Sequence, residues 1–480
     1  MEVINSKCQV FTPHEIVVEV LNQVGYIHNL YGKKVMENSC GDGEFLTEIV
    51  ERYIKDSFDK GYIEKEISEG LSRDVFGAEI DIIHKKICIN RLDNIASKYN
   101  IDNVKWNIIE ADILKEGIKE KFDYVIGNPP YITYSELDVD TRMFIREKYE
   151  TCNKGKPDYY YAFIELSIKY LSPGGRLAYL IPNNIFKNRF AENLRDFMLP
   201  YLTEISDYTV EKLFANKLTS SAVIICDGKA HKSDIKYIDK VNNKVIYIKK
   251  KTLKDKWIFN EDVNLKNFIY INKFEKSFRD DFNASCTIAT LLNDVFILKA
   301  YQEEENYIIV NNYKIEKEIL REAVSPKSLQ YKRKEYIIFP YSYNYKGDLI
   351  KFSEKEFIDK FPETSKYLQF YLEKLNKRDK DRNAKWFEFG RSQALQHLYC
   401  EKLLMSTLVT DMVKIHYLTK EQIPYSGIYI TPKEGKTIFE AEAILNNSKF
   451  LEYVHNIGIN ASGTTMRITA QDINNYQYIV

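Results

Sequence analysis

The tetrapeptide Asn128-Pro129-Pro130-Tyr131 combines residue types that could act on an amine. The Asn128 side-chain carbonyl and the Pro129 main-chain carbonyl both accept hydrogen bonds, and the proline rings fix the direction of the second. Two acceptors directed at one NH₂ group would hold a planar amine and favour tetrahedral character at its nitrogen. Tyr131 adds an aromatic face for stacking on a base. The tetrapeptide therefore predicts chemistry on a planar amine, without a strong general base.

A second polar segment, ENSCGDGEFL (37–46), lies between a strand-like run and a helix-like run. Gly41 and Gly43 allow a tight turn and a close approach to a ligand. The N-terminus of the following helix favours an anionic group. The segment does not match the GxGxxG pattern of dinucleotide-binding sites, and a single GxG is weak evidence for any ligand. Its role must therefore be inferred from the residues at the ends of the next strands.

Acidic residues stand at the ends of the next two predicted strands. Glu79 ends the second strand, where a carboxylate commonly accepts hydrogen bonds from ribose hydroxyls. Asp112 ends the third strand and could accept from an adenine amino group, although an isolated acid is more often a helix cap or a surface residue. With the glycine loop, these acids predict a site for S-adenosylmethionine. We expect methyl transfer, S-adenosylhomocysteine as product, and no metal.

Alternating apolar and amphipathic stretches must position these loops. Strand-like runs cover 33–40, 74–80, 104–114, 122–128, 176–183 and 220–227, and helical spacing covers 44–58, 81–99, 158–171 and 190–199. The alternation predicts an α/β fold with right-handed βαβ units and a parallel sheet covered on both faces. Ligands bind at the carboxyl ends of such strands. We interpret 59–73 as a polar surface insertion.

The 480 residues are too many for one ordinary core, so we predict two domains. Beyond residue 228, Lys, Asn and Tyr dominate, strands are short, and helical stretches such as 354–377 occur irregularly. We predict a catalytic domain at 1–230 and an α+β domain at 231–480, with the boundary within 228–262.

Charge is distributed unevenly along a chain whose net charge is zero. Residues 1–150 carry 19 Lys and Arg against 28 Asp and Glu, whereas residues 151–480 carry 50 against 41. A basic second part could face phosphates, but an ordinary solvated surface explains the charges at least as well.

Seven cysteines and seven histidines occur without CxxC or HxxxH spacing, which argues against a zinc site or a disulfide framework. No apolar run approaches the ~20 residues that span a bilayer. The first residues lack a signal-peptide pattern. We expect a protein of the reducing cytoplasm, in a bacterial or phage-like context, with no membrane partner.

Taken together, the motifs resemble the N6-adenine DNA methyltransferases, and their order resembles the gamma group of restriction–modification systems. The segments in family order are QVFTP (9–13), CGDG (40–43), NPPY (128–131), KPDYYYAFIELSIKYLSPGGRLAYLIPN (156–183) and KLFANKLTSSAVIIC (212–226). The resemblance implies a Rossmann-like domain with a mixed, mostly parallel seven-stranded sheet, followed by an α+β target-recognition domain. It also implies methylation of N6 on an adenine flipped out of duplex DNA.

The resemblance assigns roles to individual residues. Thr12 would touch the methionine carboxylate, Phe163 would pack on the cofactor adenine, and Phe214 would stack the flipped base opposite Tyr131. The expected catalytic residues are Asn128, Pro129, Pro130, Tyr131 and Phe214. The expected cofactor-binding residues are Thr12, Pro13, Glu37, Ser39, Cys40, Gly41, Gly43, Glu79, Ile80, Asp112, Ile113, Asn128 and Phe163.

Weaker resemblances in the second half cover 361–379, 385–393 and 462–473. Basic residues at 377–386, Arg391 and Arg467 are candidate DNA contacts, although a solvated surface explains most of these charges. The expected partner is double-stranded DNA, bound by a monomer. The sequence leaves open whether a separate cognate restriction endonuclease exists.

One dipeptide departs from the family pattern. The family usually has Asp-Pro before the Cys-Gly pair, and this chain has Glu37-Asn38. Glu37 still supplies an acceptor, but the loop lacks the rigidity of a proline. The departure could reduce the affinity for the cofactor, and the intact NPPY motif gives no reason to infer loss of activity.

Three alternatives remain at the level of sequence. The NPPY motif also occurs in methyltransferases of protein glutamine and RNA guanine, but the segment at 9–13 and the about 250 residues after the catalytic motifs favour DNA. A bifunctional enzyme could also cleave DNA; we expect no nuclease upstream of motifs that begin so near Met1, and find no convincing PD…(D/E)xK arrangement in the second half. A catalytically silent DNA-binding module conflicts with the intact tetrapeptide.

Overall fold

A computed structural model of the chain describes residues 12–208, 220–231, 234–259, 276–462 and 464–478. The chain divides into two compact units, Met1–Leu265 and Lys266–Val480. Residues 9–11 of the first motif and the predicted base-stacking residue Phe214 lie outside the described residues.

Helices and strands alternate through the first unit. The helices are α1 His14–Val24, α2 Glu44–Asp59, α3 Glu64–Asp74, α4 Ile82–Lys98, α5 Ile113–Glu116, α6 Val139–Lys148, α7 Tyr160–Tyr170 and α8 Glu192–Met198. The strands are β1 Val35–Glu37, β2 Val75–Glu79, β3 Asn107–Glu110, β4 Phe122–Gly127, β5 Leu171–Pro182, β6 Leu202–Asp207, β7 Ser221–Asp227, β8 Ile235–Asp239 and β9 Lys244–Ile248.

These strands form one mixed sheet in the order β3-β2-β1-β4-β5-β7-β6-β8-β9. The first five strands in this order pair in parallel, and β7 is antiparallel to both of its neighbours, β5 and β6. The predicted α/β fold with a mixed, mostly parallel sheet is confirmed. Strands β8 and β9 extend the predicted seven strands at the β6 edge.

The sheet buries apolar side chains on both faces. Successive residues of β1 enter different cores, with Met36 in one cluster and Val35 in the other. Helices α7 and α8 contribute to the cluster of Met36, and α1, α2 and α4 contribute to the cluster of Val35. This burial explains the nearly continuous apolar runs of the strands, since a parallel sheet is covered on both sides.

Two local predictions were wrong. Segment 59–73, interpreted as a polar insertion, contains most of α3, which buries Ile67 and Leu71 in the core because these residues recur at helical spacing. The predicted strand at 104–114 is strand only over β3, and Asp112 does not end it but caps α5.

The second unit contains short strands in several small sheets together with short helices, in line with the predicted α+β character. Its helices are Phe278–Asp281, Asn293–Phe296, Pro326–Gln330, Glu354–Lys360, Pro362–Phe370, Leu372–Lys377, Ile438–Leu445, Ser448–Ile457 and Ala470–Asn474. Its strands are Lys276–Ser277, Phe282–Cys286, Ile297–Leu298, Gln302–Glu303, Tyr307–Val310, Tyr313–Glu316, Leu320–Val324, Glu335–Ile338, Tyr341–Tyr343, Leu349–Lys351, Lys402–Met405, Leu408–Val409, Ile415–Leu418, Ile423–Pro424, Ile428–Pro432, Ile459–Ser462, Thr465–Arg467 and Gln477–Tyr478.

Candidate cofactor and catalytic site

A cleft opens where the loops that follow β1 and β4 leave the sheet. Strand β1 lies between β2 and β4, so the direction of strand succession reverses at this point, as at the ligand sites of open α/β sheets. The cleft is lined by Thr12, Glu37, Ser39, Cys40, Gly41, Asp42, Glu44, Phe45, Glu79, Asn128, Pro129, Pro130 and Tyr131. The tertiary structure therefore brings the CGDG and NPPY segments to one site.

The CGDG loop depends on its two glycines for different reasons. Both have positive φ angles, +50° at Gly41 and +83° at Gly43. A Cβ atom at Gly43 would lie 2.7 Å from the Cys88 sulfur on α4, whereas one at Gly41 would meet nothing within 4 Å. Gly43 is therefore required both by the turn and by the close packing of α4 against it.

Glu79 ties this loop to the end of β2. One carboxylate oxygen accepts from the Gly41 N–H at 2.9 Å, and the other accepts from the Asp81 N–H at 3.0 Å. A carboxylate offers about four acceptor positions, so Glu79 can hold the loop and still accept from a ligand in the cleft.

Glu37 places a buried carboxyl group at the end of β1, with only 3% of the residue exposed. A Cβ on the neighbouring Gly127 would lie 3.2 Å from Glu37 Cγ, a tight contact that the glycine avoids. Glu37 Oε2 has no hydrogen-bond partner among the described residues. Burial raises the pKa of the Glu37 carboxyl well above its usual range, and nearby Cys88 and Glu79 raise it further. A ligand that supplies a cation or a donor would relieve this arrangement.

Asn128 is held so that its side-chain oxygen remains available. Its Nδ2 donates to Thr12 Oγ1 at 3.2 Å, and its main-chain carbonyl accepts from Ser39 Oγ at 3.4 Å. Asn128 Oδ1 is buried and has no partner among the described residues. The residue thus presents the acceptor that the tetrapeptide predicts.

Tyr131 is fixed by elements distant in sequence. Its hydroxyl donates to the Leu180 carbonyl of β5 at 2.8 Å. Its ring meets that of Tyr160, the first residue of α7, edge to face with centroids 5.8 Å apart. Burial raises the pKa of the Tyr131 hydroxyl well above its usual range, which keeps this donor protonated.

Several predicted cofactor residues do not line the cleft. Phe163 is buried in α7, where its ring packs edge to face against Tyr159 at 5.5 Å. The Asp112 carboxylate accepts from the Leu114 N–H at 3.2 Å as the cap of α5 and pairs with a lysine. Four more predicted residues lie outside the lining. Pro13 precedes α1, and Gly43 lies in the CGDG loop. Ile80 is exposed and Ile113 is buried. Their cofactor roles stay predictions.

Three lining residues were not predicted: Asp42, Glu44 and Phe45. Asp42 Oδ1 lies 2.6 Å from His84 Nδ1, and Arg91 donates to the Asp42 carbonyl at 3.1 Å and to Glu44 Oε1 at 2.6 Å. The signal that could have identified all three is their place inside the glycine loop and the first turn of α2.

The basic candidates of the second unit have different surroundings. The Arg378 guanidinium donates to the carbonyls of Thr290, Trp386 and Glu388, and burial lowers its pKa. Arg391 pairs with two aspartates, at 2.8 and 3.0 Å. Arg467 is exposed. Arg378 and Arg391 are therefore engaged in contacts within the unit itself.

No group of His, Cys, Asp and Glu suited to a metal ion occurs within the described ranges. None of the helices in the described part of the chain is long and apolar enough to cross a membrane.

Residues 29–214 match the family described as Eco57I restriction-modification methylase. The Type II methyltransferase M.BstVI of Geobacillus stearothermophilus is 25% identical over an alignment of 522 residues, which covers 96% of this chain and 88% of the relative. The Type II restriction enzyme and methyltransferase RM.Eco57I of Escherichia coli is 26% identical over 389 residues, 70% of this chain and 38% of the relative.

Among solved structures, the chain is similar to the Type IIL restriction-modification enzyme MmeI in complex with DNA, with a TM-score of 0.59 and 14% identity. The match covers 96% of this chain and 65% of the MmeI chain, so this chain spans less than two thirds of that protein. The predicted resemblance to restriction–modification methyltransferases is confirmed, and the likeness to MmeI supports the predicted fold.

Proposed function

We propose that this chain, whose residues 29–214 match the Eco57I restriction-modification methylases, transfers the methyl group of S-adenosylmethionine to N6 of adenine in duplex DNA. One observation carries the proposal: the buried, unpartnered Asn128 Oδ1 lies in the same cleft as the CGDG loop. An acceptor held this way suits an amine donor, because a buried acceptor without a partner is costly.

The residues of the cleft fit the proposed cofactor. S-adenosylmethionine, when bound, supplies a methyl group on a positively charged sulfur. Glu37 Oε2, a buried acceptor without a partner, suits the ammonium group of the methionine moiety. Glu79 retains acceptor positions for ribose hydroxyls, and Thr12 lines the cleft where a carboxylate could accept from its hydroxyl.

The NPPY residues act on the amine. Asn128 Oδ1 and the Pro129 carbonyl accept from the two N–H bonds of the amino group, which directs the nitrogen lone pair away from both acceptors. Tyr131 offers its ring to the adenine, and Phe214 is proposed to stack on the opposite side. N6 is paired in duplex DNA, so the adenine must leave the stack to reach these residues.

The second unit is proposed to bind and read the DNA target. Arg467, which is exposed, remains a candidate contact, and the net basic character of residues 151–480 favours a phosphate-rich partner. We also propose that the chain binds DNA as a monomer. Any cognate restriction endonuclease would then be a separate protein.

Incubation with tritiated S-adenosylmethionine and a mixture of DNA, RNA and release factor tests the function. We expect label in DNA, recovered as N6-methyladenine after digestion to nucleosides. Label in RNA or release factor alone, or in cytosine, would contradict the proposal. Long-read methylation mapping of DNA from cells that express the chain then gives the target sequence and strand.

A bifunctional enzyme is the second candidate, since RM.Eco57I is a restriction enzyme and methyltransferase and shares a matching region with this chain. Addition of Mg²⁺ to the same DNA tests it. Discrete cleavage products would establish the second activity. DNA with unmethylated targets that stays intact in the presence of enzyme with proven methyltransferase activity would refute it for this chain.

A further inference from the structure

Asn38, at the position where the resemblance implies a proline, forms a hydrogen-bond network inside the first unit. The residue is 3% exposed, and its Nδ2 donates to Ser167 Oγ at 2.8 Å. Ser167 Oγ lies 2.7 Å from the Tyr179 hydroxyl, and both residues are almost fully buried. Three side chains far apart in sequence thus form a continuous chain of hydrogen bonds.

The network connects parts of the sheet that do not pair directly. Asn38 follows β1, Ser167 lies on α7 and Tyr179 lies on β5. Strand β4 separates β1 from β5 in the sheet, so the loop after β1 is tied to β5 through α7. Asn38 is also flanked by Glu37 and Ser39, which both line the cleft.

Stability alone does not explain an asparagine at this place. Asn38 Oδ1 is buried without a hydrogen-bond partner among the described residues, which costs free energy that a proline or an apolar side chain would not. The amide instead orients the backbone. Its hydrogen bond to Ser167 fixes the conformation of the segment between Glu37 and Ser39.

We propose that Asn38, Ser167 and Tyr179 are positioning residues whose hydrogen bonds give the cofactor loop the rigidity that a proline at position 38 would give it. The network holds Glu37 and Ser39 in their binding orientation before the ligand arrives, which lowers the entropic cost of binding. The inference rests on the proposed cofactor, S-adenosylmethionine. It also predicts that the Glu37-Asn38 pair does not weaken binding, an effect that the sequence leaves open.

Calorimetric titration of the full chain with S-adenosylmethionine measures the effect. We expect Ser167→Ala and Asn38→Ala each to raise the Kd about tenfold, the size of one well-formed hydrogen bond. The double variant should bind no more weakly than either single variant, because both remove the same interaction. Turnover at saturating cofactor should change less than about twofold, so the effect appears in KM and not in kcat.

Asn38→Pro provides the rescue. Proline fixes its own φ angle, so Asn38→Pro should bind as tightly as the wild type. In this background, Ser167→Ala should no longer affect the Kd. A purely structural role for Ser167 would weaken binding equally in both backgrounds.

Ser57→Ala is the matched control. Ser57 is also fully buried, but its hydroxyl donates to the Tyr53 carbonyl within α2 at 2.7 Å and does not touch the loop. This variant should lose stability and keep its cofactor Kd. Tyr179→Phe, which alters volume least, replaces Ser167→Ala if that variant does not fold, and should raise the Kd by about threefold to tenfold.

Amide hydrogen exchange of residues 39–43 without cofactor gives a second readout. Exchange should be faster in Ser167→Ala than in the wild type, and slow again in the Asn38→Pro/Ser167→Ala double variant. If the wild type does not bind S-adenosylmethionine, the proposed function fails and the inference fails with it. If the wild type binds and Ser167→Ala binds equally well, only the inference is overturned.

Discussion

The loop after β4 and the loop after β1 border the same cleft, but different interactions fix their conformations. Two prolines lock the backbone of the NPPY loop locally, at Pro129 and Pro130. The CGDG loop has no proline and is held from outside, by the Glu79 carboxylate, by α4 packed on Gly43 and by the Asn38 network.

This difference separates the expected effects of mutation. Pro129 and Pro130 keep the NPPY backbone in place when a side chain that faces the ligand is changed, so the loss of that side chain should appear mainly in the rate of the chemical step. Residues around the CGDG loop support its shape from a distance, so their loss should appear in cofactor affinity and stability. Four variants test this contrast.

The largest effect is expected for Asn128→Ala. The variant removes the acceptor while the prolines keep the backbone, so kcat should fall about 100- to 1,000-fold, as for loss of one preorganised polar group. The cofactor Kd should change far less, by no more than about tenfold, the size of one hydrogen bond. Steady-state kinetics and calorimetry measure the two quantities. Asn90→Ala, at an exposed position of α4, is the control, and retained turnover in Asn128→Ala would refute the role of the amide.

Glu37→Gln should weaken cofactor binding about 10- to 100-fold, because a hydrogen bond to a charged group is lost. In the wild type, an ammonium group favours ionised Glu37, so binding should release a proton and tighten as the pH rises through the raised pKa. Calorimetry in buffers of different ionisation enthalpy measures the proton release.

The same variant should gain stability. The pKa of Glu37 is higher in the folded state than in the unfolded state. As the pH rises, the unfolded state therefore releases this proton first. Above the unfolded pKa, Glu37 lowers the free energy of unfolding. Glu37→Gln should therefore melt at a higher temperature than the wild type at pH 8, with the difference shrinking toward pH 4. Glu110→Gln, exposed on β3, should show neither effect.

Gly43→Ala should destabilise the protein by about 1–2 kcal/mol through its positive φ angle, with a further loss from contact with Cys88. A double-mutant cycle separates the cost of the Cys88 contact from the cost of the positive φ angle, since Cys88→Ala removes the sulfur. Thermal unfolding should show a smaller cost of Gly43→Ala in the Cys88→Ala background. An equal cost in both backgrounds would mean that α4 does not constrain the loop.

Tyr131→Phe should have the smallest effect, about a threefold to tenfold loss in kcat/KM for DNA, because the ring remains and only the bond to Leu180 is lost. Tyr131→Ala should lose more, since stacking on a base contributes about 1–3 kcal/mol. Tyr247→Phe, at a tyrosine that is 69% exposed on β9, is the control. Equal losses for Phe and Ala at position 131 would argue against stacking.

Local patterns gave reliable predictions where one physical requirement dominated. The strands of the parallel core read as apolar runs, and β2, α2 and α4 lie within one or two residues of their predicted bounds. Local patterns failed where a short polar stretch was compatible with two structural roles. The acid at position 112 was consistent with a ligand contact or a cap, and its contacts in the structure are those of the cap of α5.

The sequence by itself determined the chemistry that the site can offer. Asn128, the prolines and Tyr131 are contiguous, and Gly41 and Gly43 occupy one turn, so their properties follow from residue type and covalent geometry. Tertiary structure alone decided which partners hold them. Leu180, Ser167 and Cys88 reach the two loops only because β5, α7 and α4 pack around β1 and β4. Hydrogen bonds and packing act at a few ångströms whatever the separation along the chain, and local sequence patterns do not encode that proximity.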